Sequence, residues 1–248
     1  MLKQSQLDLC GRVDFTREVP LLGRDEGFSF ACAGCGDCCR GREDIVLSGF
    51  DLWRIAARLR LPPRTVARAF CKASIGAVSH LPVLRLAPVR EEGNNCPFLT
   101  HSRCAIHDAE PLVCALYPLA QEITKEGSVS YFLQPTSCGG QVISAKVGDH
   151  LARYDIPARE ATDVRWAQVC MALEDRVEAL EAVFEPVFIR RVQQKLWQAL
   201  YYRYDFAAPF LPQLEENLRG LDAELEKLSA LQERRNVRFR ELIEKTDR

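Results

Sequence analysis

Apolar positions in the second half of the chain recur at helical spacing. Glycine almost disappears from about residue 141 onward, and the pattern predicts helices over 141–153, 158–184, 186–204 and 209–243. In the last of these, Leu211, Leu214, Leu218, Leu221, Leu225 and Leu228 alternate steps of three and four. That is a heptad-like seam of about two and a half repeats. So short a seam is read first as a helix packing on its own domain, with association to a partner or a second copy as the alternative. Trp197, Tyr201 and Tyr202 fall at helical spacing and are expected in the core.

The first half carries shorter elements. Phe28 and Phe30 flank Ser29 in a short strand, and Asp44-Ile45-Val46-Leu47 reads as another. Ser48-Gly49-Phe50-Asp51 starts a helix with a capping-box pattern, and Leu52, Ile55, Ala56 and Leu59 follow on one face. Pro62-Pro63 ends that helix, and Pro63 opens the next, which runs through Val66, Ala67 and Phe70 to Cys71. Residues 81–90 alternate as a strand, and Gly93-Asn94-Asn95 signals a turn. Pro111 and the apolar run to Tyr117 predict a short helix carrying Cys114. Residues 119–123 and 129–134 form a predicted hairpin around Lys125-Glu126-Gly127-Ser128, and Cys138-Gly139-Gly140 returns the chain to helix. The expected fold is α+β, mainly α. An N-terminal arm (1–27) leads to a cysteine-rich module of short strands and turns (28–145). A helical region (146–248) packs on that module.

Composition adds boundaries. With 248 residues, 47% of them apolar and 27% charged, the chain can bury a globular core. A net charge of -1 gives no electrostatic case for nucleic acid or a membrane surface. The start, Met1 to Cys10, has no apolar signal-peptide core, and no apolar run approaches a membrane span. A cytoplasmic protein is expected, and there thiols stay reduced. Eleven cysteines, an odd number, then point to metal before disulfides.

The densest chemistry is Cys32-Ala33-Gly34-Cys35-Gly36-Asp37-Cys38-Cys39, with C-x2-C-x2-C-C spacing. A C-x2-C step lets two sulfurs converge on one ion or cluster, and Gly34 and Gly36 suit the tight turn between them. Cys38 and Cys39 diverge if their backbone is extended. A second set follows at Cys96, Cys104, Cys114 and Cys138. Cys71 lies on an apolar stripe, Cys170 in a long helix and Cys10 in the arm, so these three are read as non-ligands. Eight candidate metal ligands remain: Cys32, Cys35, Cys38, Cys39, Cys96, Cys104, Cys114 and Cys138. Eight thiols fill two four-ligand sites, or one site with thiols to spare. The step Cys32, Cys35, Cys38 with a remote Cys96-Pro97 has the form of a bacterial ferredoxin [4Fe-4S] ligand run, though the spacing to the next cysteine is not kept. Zinc fits the C-x2-C steps almost as well, so spacing alone does not choose the metal.

The stretch from Phe30 to Gly139 resembles the YkgJ-type cysteine-cluster proteins, a family associated with zinc or iron chelation. The resemblance runs through the octapeptide and Arg40, Cys96-Pro97-Phe98-Leu99, Cys104-Ala105-Ile106-His107, Pro111-Leu112-Val113-Cys114, Tyr117-Pro118 and Cys138-Gly139. Flagellin lysine-N-methylases carry a similar cysteine module, and that likeness implies an iron–sulfur cluster at these positions. Two positions depart from the pattern: Glu110 and Ala115 stand where the family often has arginine.

Other groups weigh less. His107 follows Cys104 with C-x2-H spacing, and a hydrogen bond to a ligand, or packing, is favoured over ligation because thiolates are plentiful. His80, His101 and His150 have no metal spacing. Arg40 and Arg42 flank the cluster, either offsetting its charge or forming a solvated pair. No phosphate loop, nucleophile elbow or dinucleotide fingerprint is found. Two functions follow. One is a [4Fe-4S] protein with a redox or methyl-transfer role, an iron–sulfur oxidoreductase or lysine-N-methylase-like transferase. The other is a non-enzymatic, zinc-stabilised binding or accessory protein. A protein partner or substrate would meet either one through the C-terminal helices.

Overall fold

Ser48 and Asp51 close a reciprocal cap on helix α1 (Gly49–Leu59). Asp51 N donates to Ser48 Oγ at 2.9 Å and Ser48 N donates to Asp51 Oδ2 at 3.0 Å. The helix buries Leu52, Ile55 and Ala56 and ends at Arg60, which takes the left-handed conformation (φ 55°). Pro63 opens α2 (Pro63–Phe70), where Val66 and Ala67 are buried. The computed structural model that shows this describes residues 20–31, 34–134 and 141–246.

Helix α2 stops before Cys71, against the predicted continuation. Cys71 is extended and begins strand β3 (Cys71–Ile75), which pairs antiparallel with β4 (Pro82–Leu86), Cys71 opposite Leu86. β4 also pairs with β2 (Val46–Leu47), so β4 is central and β3 is an edge. The remaining strands pair antiparallel in twos. β1 (Gly27–Ala31) meets β9 (Gln141–Lys146), β5 (Leu99–Thr100) meets β6 (Arg103–Cys104), and β7 (Leu119–Ile123) meets β8 (Val129–Leu133). The β7–β8 hairpin has the predicted strands, with Leu119 opposite Leu133 and Ile123 opposite Val129.

The predicted helix over 141–153 is corrected. Residues 141–146 are β9, and only Val147–Arg153 is helical (α4). β-branched Val142 and Ile143 favour the strand, and β1 supplies the partner, with Ala31 opposite Gln141 and Gly27 opposite Lys146. This pairing ties the strand that leads into the cysteine segment to the strand that leaves it.

Three longer helices follow short α3 (Leu112–Leu116): α5 (Ile156–Glu181), α6 (Pro186–Trp197) and α7 (Phe210–Thr246). A π-turn, Gln198–Tyr202, continues α6. It swings Tyr201 into the core, where the hydroxyl lies 3.2 Å from Leu47 O and 3.4 Å from Pro82 O. Gly49 permits the close approach of α1, since a Cβ there would meet Leu200 O at 2.3 Å. The molecule is α+β and mainly α, with 54% of the described residues helical. Among the described residues, no helix is long and apolar enough to cross a membrane.

One buried cluster joins Leu47, Leu52, Ile55, Leu84, Phe98 and Ile106 to Trp166, Leu173, Val192, Leu196, Leu214, Leu221 and Leu225. Each such side chain contributes about 1.5–3 kcal/mol when fully buried. The leucine seam of α7 faces this core: Leu214, Leu221 and Leu225 are buried, and Leu211, Leu218 and Leu228 pack against it. Further along, Leu231 and Val237 are exposed. A smaller cluster gathers Phe30, Leu116, Leu119, Tyr131, Val147 and Leu151.

Candidate metal centre

The first cysteine loop turns on two glycines with left-handed backbones, Gly34 (φ 66°) and Gly36 (φ 74°). Gly36 also sits against the second loop, where a Cβ would lie 2.9 Å from Ser102 O. After it comes one 3-10 turn, Asp37–Cys39, closed by Cys39 N donating to Gly36 O at 3.0 Å. The expected divergence of Cys38 and Cys39 is therefore corrected. That expectation needs an extended backbone, and the helical turn instead leaves the two sulfurs 3.9 Å apart. Arg40 holds the loop from outside, donating to Cys35 O at 2.8 Å, Asp37 Oδ1 at 3.1 Å and Ser102 Oγ at 2.9 Å. It is a clamp between the two loops. Arg42 pairs with Asp44 at 2.5 Å, and its charge reaches Cys38 and Cys114.

The second loop is bound to the first through Cys96 N, which donates to Cys39 O at 2.8 Å. The β5–β6 hairpin turns on His101 and Ser102, both at positive φ, and delivers Cys104. A 3-10 turn (His107–Ala109) and Pro111 lead into α3, which carries Cys114. Helix α1 sets this segment in place. Leu112 N, at the start of α3, donates to Asp51 Oδ1 at 3.0 Å. Arg54 donates to Asp108 O at 2.9 Å, and Arg58 pairs with Asp108 at 2.9 Å. Asp51 thus caps both α1 and α3. Behind it, Arg159 of α5 donates to Asp51 Oδ1 at 2.7 Å and grips Asp163 at 2.6 and 2.9 Å. Burial works against the Arg159 charge, and the two carboxylates more than offset it.

Cys35, Cys38, Cys39, Cys96, Cys104 and Cys114 line one cavity of about 620 Å3, with His107, Glu110, Tyr117 and Tyr154 on its wall. Of the eight candidates, Cys32 and Cys138 lie outside the described residues, as does Cys10. Cys71 is on β3 and Cys170 is buried in α5, and both thiols are pushed up to about 12 by burial. A smaller apolar cavity of about 150 Å3, lined by Leu47, Leu116, Trp166 and Met171 among others, holds none of the thiols.

Four of the sulfurs sense one another. Burial raises Cys114 well above the ordinary thiol range, and Glu110, Cys96, Cys104 and Cys38 add to it. Cys104 is pushed up to about 11 by burial, then by Glu110, Cys96 and Cys38. Burial raises Cys96, with Cys38 adding to it. Cys38 is raised by its hydrogen bond with Cys39, then by burial, against the pull of Arg42. Burial raises the Glu110 carboxyl, and His107, Arg54 and Arg159 oppose it. Thiols in such a set keep their protons unless a cation replaces them. Among the described residues, no three donors are already closed to metal-bonding geometry. The donor chemistry, six soft sulfurs and an imidazole round one cavity, fits zinc or iron. Metal binding would draw the walls in.

Sequence reading singled out these thiols but not the residues that hold them. Asp51 gave a signal only as half of a capping box. Arg54 and Arg159 gave none, because they act across 54 and 108 positions, and Asp163 gave none, because it reaches the site only through Arg159. His80 pairs with Glu181, and His150 donates to Leu116 O at 3.2 Å.

Residues 31–138 match the family model CxxCxxCC, described as "Putative zinc- or iron-chelating domain". The match opens one residue before Cys32, closes on Cys138 and so contains all eight candidates. No curated protein and no solved structure matches the chain.

Proposed function

We propose, on the premise that residues 31–138 are a zinc- or iron-chelating CxxCxxCC domain, that they hold a cysteine-ligated [4Fe-4S] cluster with a redox or methyl-transfer role. The observation that carries this reading is the cavity. At about 620 Å3 with six thiols on its wall, it offers more room and more sulfur than one ion needs. Of the ferredoxin-like run Cys32, Cys35, Cys38 and Cys96, the charges of the last two reach Cys104 and Cys114. We draw the ligands chiefly from Cys38, Cys96, Cys104 and Cys114, which share the cavity wall with Cys35 and Cys39. The group, when bound, supplies electron transfer. The chain supplies thiolates, the Arg42 charge that favours them, and a seat fixed to the core. Such a site belongs in a reducing compartment.

The shared cavity of those four sulfurs also supports a second reading. Four sulfur or nitrogen ligands close a tetrahedral zinc site, which would staple the loops of a non-enzymatic binding protein. The exposed Leu231 and Val237 on α7 would then face a protein partner. Anaerobic purification, an absorption spectrum, and metal and acid-labile sulfide counts separate the two. Brown protein with iron and sulfide in equal amounts is expected. Colourless protein with one zinc per chain would establish the second reading, and protein that takes up neither metal would end both.

A further inference from the structure

His107 has the surroundings of a ligand, although the plentiful thiolates favoured a hydrogen bond to a ligand, or packing. Its ring lines the same cavity as Cys38, Cys96, Cys104 and Cys114. Its Nδ1 lies 3.1 Å from Glu110 Oε2. Glu110 as a carboxylate only accepts, so in this pair Nδ1 would carry the proton and donate, leaving Nε2 its lone pair for a metal. Glu110 is itself fixed. Its side chain is 11% exposed, and the positive charges of Arg54 and Arg159 reach it. A buried carboxylate on the far nitrogen is the arrangement that sets the tautomer and ring plane of a metal-bound imidazole. Tyr154 meets the ring edge-on, with centroids 6.3 Å apart. The side chain of His107 is 67% exposed, so one face of the ring opens to solvent.

We propose that His107 Nε2 is a nitrogen ligand of the metal held in the cysteine cavity, with Glu110 as its positioning residue. The inference rests on the metal-binding reading above. An exposed nitrogen donor at the rim of a wall of thiols makes this the ligand that solvent or a substrate exchanges most readily. The buried sulfur of Cys114 is held in place.

X-ray absorption at the edge of the metal retained after anaerobic purification tests it. Wild type should show sulfur scatterers, one nitrogen at about 2.0–2.1 Å, and the outer-shell scattering of an imidazole ring. His107→Ala should lose the imidazole signature, and His107→Cys should replace the nitrogen with sulfur at full metal content. Glu110→Gln should keep the ring but release metal to a competing chelator with an affinity lower by roughly 10- to 100-fold. An all-sulfur wild-type spectrum that His107→Ala leaves unchanged would overturn the inference and leave the metal site standing. Imidazole scattering that survives in His107→Ala would overturn it too. A wild-type protein that retains no metal and takes none on reconstitution would remove the inference together with the reading beneath it.

Discussion

Cys38 and Cys39 share a turn and a cavity, but the charge of Cys38 is the one that Cys96, Cys104 and Cys114 sense. Cys38→Ser should therefore lose the metal. Cys39→Ser should keep most of it while changing its absorption spectrum, potential or air sensitivity. Metal counts and anaerobic spectra of the two variants decide the matter, and equal losses would undo the distinction. Cys170→Ala should keep full metal content, costing about 1 kcal/mol as an ordinary core truncation. The two glycines of the loop allow a finer comparison. Both have positive φ, so alanine at either costs about 1–2 kcal/mol of backbone strain. Only at Gly36 does the new Cβ also press on a backbone carbonyl. Denaturant midpoints of the metal-loaded protein should thus fall further for Gly36→Ala than for Gly34→Ala. The reverse order would mean that the two loops are not packed as described.

Helices α1 and α3 meet at one carboxylate. Asp51 accepts from Ser48 N, Ser48 Oγ, Leu112 N and Arg159 Nη2. Asp51→Ala removes two caps at once and leaves Arg159 short of a buried partner, which should cost about 3–5 kcal/mol. The loss should be larger with metal than without, because α3 carries Cys114. Unfolding curves of loaded and stripped protein, wild type against variant, measure the difference. Identical losses in the two states would show that α1 does not act on the site. Elements of this kind divide sharply by how local their cause is. The Ser48–Asp51 cap, the β7–β8 hairpin and the α7 leucines were legible because each signal lies within a few residues. Strand β3 was not, since an edge strand with Lys72, Ala73 and Ile75 exposed lacks an apolar stripe. Strand β9 was missed because its partner lies more than a hundred residues upstream.

At the scale of the whole molecule, the thiols are seated on a core assembled from both halves of the chain. Cys96, Cys104 and Cys114 pack against a cluster that runs from Ile45 to Leu225. Removing the metal under reducing conditions should therefore lower one thermal transition, followed by far-ultraviolet circular dichroism, rather than split it. Two separated transitions would show that 146–248 folds without help from the cysteine segment. Identities of the metal-bearing residues could be read from spacing, but the cavity could not. It is formed by contacts such as Cys96 with Cys39 and Gly36 with Ser102, which join positions about sixty apart.

The pairing of β1 with β9 has a consequence for how the protein is made. Ala31 leaves the ribosome about 110 residues ahead of Gln141, its partner in the closing strand. At roughly 5–20 residues per second, the nascent thiols stay unclosed for on the order of ten seconds. The helices that complete their seat emerge later still. Exposure to oxidant during synthesis, rather than after it, is thus the moment at which these sulfurs are least protected.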